Sequence, residues 1–208
     1  MALQELLTQR YATKHFANKQ IPQETIEAIL EEMNLSPSAL GLQPYQFIVI
    51  DDAETKKALA PHSFHGIDLA DASHLIVIAG MQEVDDDYIR AFIERTEKLR
   101  ELAPGSLADL EELTKNIVHS VSDHFAWAVQ QAYVVMGVLV LSAAEKGVDM
   151  TPMEVFDREQ YDRMLGLQER GLSTALVGVL GYRKEDDPDQ FLKKTRKSFH
   201  DIVTWYGK

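Results

Sequence analysis

The apolar segment 125–144, FAWAVQQAYVVMGVLVLSAA, limits the possible folds of this chain more than any other feature. Its length matches the ~20 apolar residues that span a bilayer. Gln130 and Gln131 interrupt its first half, acidic residues or histidine flank it, and the chain has no second such segment. We therefore predict a helix buried on nearly every side, in a core or at a subunit interface, rather than a membrane span.

The rest of the chain alternates between helical and strand patterns, and 208 residues are typical of one domain, although a compact two-lobed one is possible. Helical periodicity predicts helices over 2–9, 22–33, 51–60, 85–102, 106–146 and 157–166, with Ser106 as the cap of the fifth. Apolar runs predict three buried strands over 47–50, 74–80 and 174–182. Long helical stretches separate these strands, so the pattern indicates an α+β or three-layer α/β fold rather than simple hairpins.

Composition and missing motifs exclude several classes of function. The formal net charge of −12 argues against nucleic-acid or anionic-membrane binding. The chain has no cysteine, its histidines lack metal-site spacing, and no GxGxxG, Walker or GxSxG motif occurs, so we predict no metal site. The start MALQELLTQR lacks the apolar core of a signal peptide, so we expect a cytoplasmic protein.

The segment 36–50, SPSALGLQPYQFIVI, combines a stiff polar turn with a strand. Pro37 and Pro44 restrict the backbone, and Gly41 permits positive φ. Ser36, Ser38 and Gln43 add polar side chains before the apolar strand begins. A polar loop held at the end of a strand is a common place for a ligand, so we predict that this loop forms part of a binding site.

Two groups of cations could hold an anion. Arg10 and Lys14 are four residues apart at the end of the first predicted helix, where they could share a face. Four cations occupy five positions in the segment 193–197, KKTRK, within an acidic chain. The alternatives are that the first pair complements the helix terminus and that the second group is only a solvated charge run.

A third group, 151–157 (TPMEVFD), places Glu154 between apolar neighbours after a helix-blocking Pro152. A carboxylate in such a setting can bind or orient a ligand. The alternative is an acid that stabilises the N-terminus of the next helix.

Taken together and in this order, these elements resemble the FMN-dependent nitroreductase family over almost the whole chain, from Leu7 to Arg196. The matching elements are Arg10-x3-Lys14-x-Phe16, Ser36-Pro-Ser38, Gln43-Pro44, Asp71-Ala-Ser-His74, Trp127, Gln131, Pro152-x-Glu154-x-Phe-Asp157, Gly171, Gly181 and Lys194-x-Arg196. The resemblance implies a single domain over 1–208, a three-layer α/β/α sandwich and an intertwined homodimer with two FMN sites at the interface.

The resemblance also implies the residues of the FMN site. Four cations would hold the FMN phosphate and nearby polar groups: Arg10, Lys14, Lys194 and Arg196. Tyr11 and Ala12 would contribute mainly through their backbone. A second set would approach the flavin from the other subunit: Pro37, Ser38, Ala39 and Gly41. His65 would face the isoalloxazine ring, and Glu154 with the Val155 amide would lie beside the reactive flavin nitrogen.

The chain departs from the family pattern at four positions. Gly41 stands where many members have Asn, Tyr45 replaces the usual Trp, and Val155 replaces a frequent Gly. Asp68 occupies a position where some relatives carry Lys near the flavin pyrimidine. These departures concern flavin tuning and substrate choice more than flavin binding.

The activity implied by the resemblance is a ping-pong reduction of nitroaromatics, quinones or related small-molecule acceptors, with NADH or NADPH as reductant and FMN as carrier. The cofactor supplies the chemistry in such enzymes, so no side chain is assigned as an acid or base. Alternatives are a flavin reductase, enone reductase or dehalogenase of the same fold, a non-catalytic FMN-binding protein, or a helical interaction module whose basic patch has no function.

Overall fold

The computed structural model of the protein describes residues 2–207. One antiparallel sheet lies at its centre. Its strands are β1 (Tyr45–Ile50), β2 (His74–Met81), β3 (Asp149–Met153) and β4 (Leu172–Gly181), in the order β1-β2-β4-β3. The central strands β2 and β4 are buried at nearly every position. Helices cover both faces of these strands, so they appear in the sequence as continuous apolar runs.

Eight helices accompany the sheet in the described residues: α1 (Leu3–Gln9), α2 (Gln23–Asn34), α3 (Ala53–Leu59), α4 (Asp86–Leu99), α5 (Ala108–His119), α6 (His124–Glu145), α7 (Arg158–Met164) and α8 (Phe199–Ile202). Side chains of β2 point alternately to the two faces of the sheet, and the core therefore has two layers. Ile76 and Ile78 pack in the cluster formed with α2 and α6, whereas Leu75 and Val77 pack in the cluster formed with α3 and α7. The α+β prediction is therefore confirmed, with helices on each side of the sheet.

Within the single chain, helix α6 is buried on one side, so its burial on nearly every side, which was predicted for a core or a subunit interface, stays a prediction. Val135 and Leu139 are fully buried against the sheet, and an ideal Cβ on Gly178 of β4 would lie 2.6 Å from Leu139 Cδ2. Glycine therefore permits the close approach of α6 to the sheet. On the opposite side Tyr133 and Val134 are 50% and 43% exposed. Among the described residues α6 alone is long and apolar enough to cross a bilayer, and here it packs as a core helix.

The prediction of one helix over 106–146 is wrong, because α5 ends at His119 and α6 begins at His124. The Asp123 side chain accepts from the Ala126 amide at 2.8 Å and caps α6. Nδ1 of His124 accepts from the Val84 amide at 3.0 Å. This bond fixes the start of α6 beside the loop that follows β2. Ser106 is not a helix cap.

The short strand β3 was not predicted, because 151–157 was interpreted only as a ligand loop. Pro152 argues against a central strand, but β3 lies at an edge of the sheet, where proline is tolerated. The pairing of Thr151 with Val179 and of Met153 with Val177 places Glu154 directly after the strand.

Candidate functional site

The segment 10–14 follows α1, and its backbone is held by contacts with the sheet and a neighbouring loop. Ala12 forms an isolated parallel bridge with Met150, and the Thr151 hydroxyl donates to the Thr13 carbonyl. The Lys14 carbonyl accepts from the Asp68 amide at 2.9 Å. The segment therefore lies along β3 and against the loop before β2.

Three of the four predicted anion-binding cations meet at one place. The Lys194 ammonium donates to the carbonyl of Thr8 at 2.8 Å and to that of Arg10. Burial and the adjacent Arg196 guanidinium lower the pKa of Arg10, and burial with the charges of Arg10 and Arg196 lowers the pKa of Lys194. These cations line a cavity of about 1030 Å³. A cluster of like charges beside a cavity is suited to an anionic ligand, which would relieve the repulsion.

Lys14 does not join this group of cations. Its Nζ lies 3.9 Å from Oδ2 of Asp189, and both side chains are about 40% exposed, at 41% and 39%. This exposed pair is weak because of its distance and its solvation, and Lys14 does not line the cavity of the other three cations.

The Tyr11 side chain has contacts that the sequence did not predict. Its hydroxyl donates to Oδ2 of Asp187 at 2.7 Å, and the Arg183 guanidinium lies 4.6 Å from its ring centroid. Burial and the bond to Asp187 raise the pKa of Tyr11 to about 12. Arg183 in turn forms an ion pair with Asp149. No spacing rule connects positions 11, 149, 183 and 187, so only the fold reveals this support for the segment 10–14.

A second part of the candidate site joins the loops 62–65 and 154–157. The Asp157 amide donates to the His62 carbonyl at 2.8 Å, and Ser63 and Phe156 form an isolated antiparallel β-bridge. His65 and Val155 line the same cavity of about 320 Å³. Val155 is 62% exposed and Phe64, which was not predicted, is 46% exposed. The two loops therefore form a surface with exposed apolar side chains, and His62 and His65 line the same cavity.

Glu154 makes its contact with the long apolar helix. The Tyr133 hydroxyl, on the exposed side of α6, donates to Oε2 of Glu154. The bond to this carboxylate, together with slight burial, raises the pKa of Tyr133. Tyr133 was not predicted as a site residue, since in the sequence it is one aromatic residue within an apolar run.

The loop 36–43 directly precedes β1 and has its own hydrogen bonds. The Ser38 hydroxyl accepts from the Gln43 amide at 3.0 Å, and the Ala39 amide donates to Oε1 of Gln131 at 2.8 Å. Gly41 has φ +74°, as predicted for this loop, and Leu40 has φ +57°. Among the described residues no hydrogen bond or ion pair joins positions 37, 38, 39 and 41 to the cation group or to Glu154.

Asp68, one of the departures from the family pattern, lies in a small charge cluster. Its Oδ2 is 2.9 Å from Nδ1 of His15 and 3.7 Å from the Lys184 ammonium. Lys184 also lies 3.5 Å from Asp71. The carboxylate therefore has a histidine and a lysine as partners within this chain.

The chain is similar to known proteins over almost its whole length. The model of the Nitroreductase family matches residues 7–182. The chain is 34% identical to the Bacillus subtilis (strain 168) protein named "Putative NAD(P)H nitroreductase YfkO", over 94% of this chain and 93% of that one.

Solved structures of similar fold include the Nitroreductase Family Protein from Streptococcus pneumoniae TIGR4, with a TM-score of 0.80 and 21% identity over 99% of this chain and 100% of that one. Another, described as a "putative nitroreductase in complex with FMN" from Exiguobacterium sibiricum 255-15, has a TM-score of 0.84 and 24% identity over 99% and 98%. At these identities the two structures show a common fold.

Proposed function

The chain belongs to the nitroreductase family, and on that premise we propose that it is an FMN-dependent oxidoreductase that uses NADH or NADPH to reduce small-molecule acceptors such as nitroaromatics or quinones. FMN, when bound, would supply the two-electron transfer between the reduced nicotinamide and the acceptor. The chain's own residues bind and orient the reactants, and none is required as an acid or base.

The meeting of Arg10, Lys194 and Arg196 is the observation that carries this proposal. Their guanidinium and ammonium groups offer the donors that a phosphate monoester requires, in a protein that is otherwise strongly acidic. In the proposal they hold the FMN phosphate, while Lys14 and the backbone of Tyr11 and Ala12 lie alongside. The pKa lowering of Arg10 and Lys194 supports the fit, since an anion would offset the repulsion that contributes to it.

In the proposal the ring of the cofactor lies at the second part of the site. His65 would face the isoalloxazine ring, and Val155 would contribute its amide and an exposed apolar side chain. Glu154, fixed by Tyr133, would lie at the reactive edge. The Asp157 to His62 hydrogen bond holds these two loops together, which supports their acting as one part of the site.

We propose that the site is completed in a homodimer. The exposed side of α6 carries Tyr133, Val134 and Gly137, and an added Cβ at Gly137 would meet nothing within 4 Å. A second copy could pack closely on this surface, which would bring the loop with Pro37, Ser38, Ala39 and Gly41 to the other subunit's cofactor. Sedimentation analysis would give twice the chain mass; a monomer that binds FMN at full occupancy would contradict the shared site.

One absorbance experiment tests the function. The purified protein should bind FMN, appear yellow, and lose its flavin absorbance on anaerobic addition of NADH or NADPH, with recovery when a quinone or nitroaromatic is added. A colourless chain that takes up no added FMN contradicts the whole proposal. Bound FMN that neither nucleotide bleaches would indicate a non-catalytic FMN-binding protein. A second experiment, stopped-flow reoxidation of the reduced protein by a panel of acceptors, separates nitroreductase from flavin reductase, enone reductase or dehalogenase.

We also propose a cytoplasmic location and one functional domain over 1–208. The family match covers most of the chain, and a protein without cysteine has no need of an oxidising compartment for its fold. Fractionation of cells with the protein tagged at its C-terminus would test the location.

A further inference from the structure

The hydrogen bond between Tyr133 and Glu154 connects two surfaces with different roles. Tyr133 belongs to the exposed side of α6, whereas Glu154 belongs to the loop after β3, 21 positions later in the chain. In the described part of the chain no other hydrogen bond or ion pair engages either side chain. The orientation of the Glu154 carboxylate within the subunit therefore depends on this one phenol.

A glutamate on an exposed loop has several rotatable bonds and loses considerable side-chain entropy when it is fixed. The Tyr133 ring has two, and its backbone is in the middle of a 22-residue helix. A phenol hydrogen bond to a carboxylate is charge-assisted and short, which makes it suited to hold the carboxylate in one direction.

We propose that Tyr133 is the positioning residue of Glu154, and that it keeps the carboxylate directed at the reactive edge of the cofactor. This inference rests on the proposed function, because it gives Glu154 its role there. A fixed negative charge near the flavin ring disfavours accumulation of negative charge on the reduced cofactor, so the phenol would help to set the midpoint potential. The phenol also joins the site to the α6 surface that a second copy would cover.

The first test uses the protein without cofactor. Tyrosine labelled with ¹³C at Cζ is titrated by NMR, and Tyr133→Phe identifies the Tyr133 signal. Glu154→Ala should move its ionisation to lower pH, since the bond that raises the Tyr133 pKa is lost. An unchanged titration would overturn the pairing whether or not FMN binds.

The second test uses FMN-loaded Tyr133→Phe, Glu154→Ala and the double variant. Tyr182→Phe is the matched control, since that ring contacts Lys19 and lies outside the site. Tyr133→Phe should retain FMN, shift its midpoint potential to more positive values, and speed FMN reduction by NAD(P)H about tenfold, equivalent to about 1.4 kcal/mol, because the carboxylate is no longer held at the reactive edge. In the Glu154→Ala background Tyr133→Phe should have no further effect, because the phenol acts through the carboxylate.

The outcomes separate the two proposals. If the wild-type protein takes up no FMN, the proposed function fails, while the titration still decides whether the pair exists. If Tyr133→Phe binds FMN with the potential and reduction rate of Tyr182→Phe, or changes the rate equally in the Glu154→Ala background, the positioning role is overturned and the proposed function stands. Should Tyr133→Phe fold poorly, Glu154→Ala tests the same bond from its other partner.

Discussion

The Ala39 amide donates a 2.8 Å hydrogen bond to Oε1 of Gln131, so a buried side chain of α6 holds the loop that precedes β1. Gln131 was one of the two glutamines that interrupt the apolar segment, and the other, Gln130, is exposed. The interruption at 131 is thus a tertiary contact rather than a defect in the helix.

Gln131→Ala should destabilise the protein, because it leaves the half-buried Ala39 amide without its acceptor. We expect a loss of about 1 to 2 kcal/mol, the usual range for an unsatisfied backbone donor. Urea unfolding measures the change, with Gln130→Ala as the control on the exposed side of the same helix. Equal midpoints for the two variants would show that the bond to Ala39 does not stabilise the fold.

Arg196→Gln should weaken FMN binding about tenfold or more, since a hydrogen bond to a charged group is worth about 1.5 to 3 kcal/mol. The stability of the cofactor-free protein should not fall, because the substitution removes a charge that repels Arg10. Fluorescence titration with FMN at two ionic strengths measures the effect. Lys197→Gln, an exposed cation one position away, is the control; equal losses in both variants would indicate a diffuse charge effect instead of a phosphate contact.

Asp162→Ala should be the most destabilising of these substitutions. The buried carboxylate accepts from the Ser173 hydroxyl at 2.6 Å and from the Thr174 amide and hydroxyl at 2.7 Å each, and so fastens α7 to β4. Its removal leaves three buried donors unsatisfied, for which we expect about 3 kcal/mol or more. Thermal and urea unfolding measure the loss. Glu159→Ala, on the exposed side of α7, should change stability by less than about 0.5 kcal/mol.

Stability should fall in mild acid because of His74. Burial, together with the nearby Lys56 charge, lowers the pKa of His74 in the folded state, so the folded protein binds a proton there less readily than the unfolded chain. The stabilisation is complete above the unfolded pKa of about 6.5 and is lost as the pH falls below it toward the folded pKa.

His74→Asn can still face the Ser73 hydroxyl, which lies 2.7 Å from Nδ1 in the native protein, and it does not titrate. Its free energy of unfolding should therefore decrease less than that of the wild type between pH 7 and pH 5. His200→Asn, at an exposed position near the C-terminus, should follow the wild-type curve. Parallel curves for His74→Asn and the wild type would rule out His74 as the source of the acid sensitivity.

The sequence predicted most helices and three of the four strands because their signals are local. The runs 74–80 and 174–182 are apolar at successive positions, as expected for strands covered on both faces. The break between α5 and α6 was missed because helical periodicity continues on either side of it. That break is made by the Asp123 cap and by the contact of His124 with Val84, a residue 40 positions away.

For the candidate site, the sequence supplied residue types, and the resemblance supplied their proposed grouping. Arg10, Lys194 and Arg196 meet in the structure, but Lys14 pairs with Asp189, and the Tyr11 side chain has its own support from Asp187 and Arg183. Tyr133 carried no signal at all, since an aromatic residue in an apolar helix is ordinarily a core residue.

By itself the sequence determined which segments must be buried, because the burial pattern of a helix or strand repeats within a few residues. It also determined that four cations are concentrated in the segment 193–197 of an acidic chain. Only the tertiary structure decided that Lys194 reaches the Arg10 carbonyl, that Gln131 holds Ala39, and that Tyr133 meets Glu154. Such contacts depend on the order of the strands and on where each connection returns to the sheet, which local periodicity does not specify.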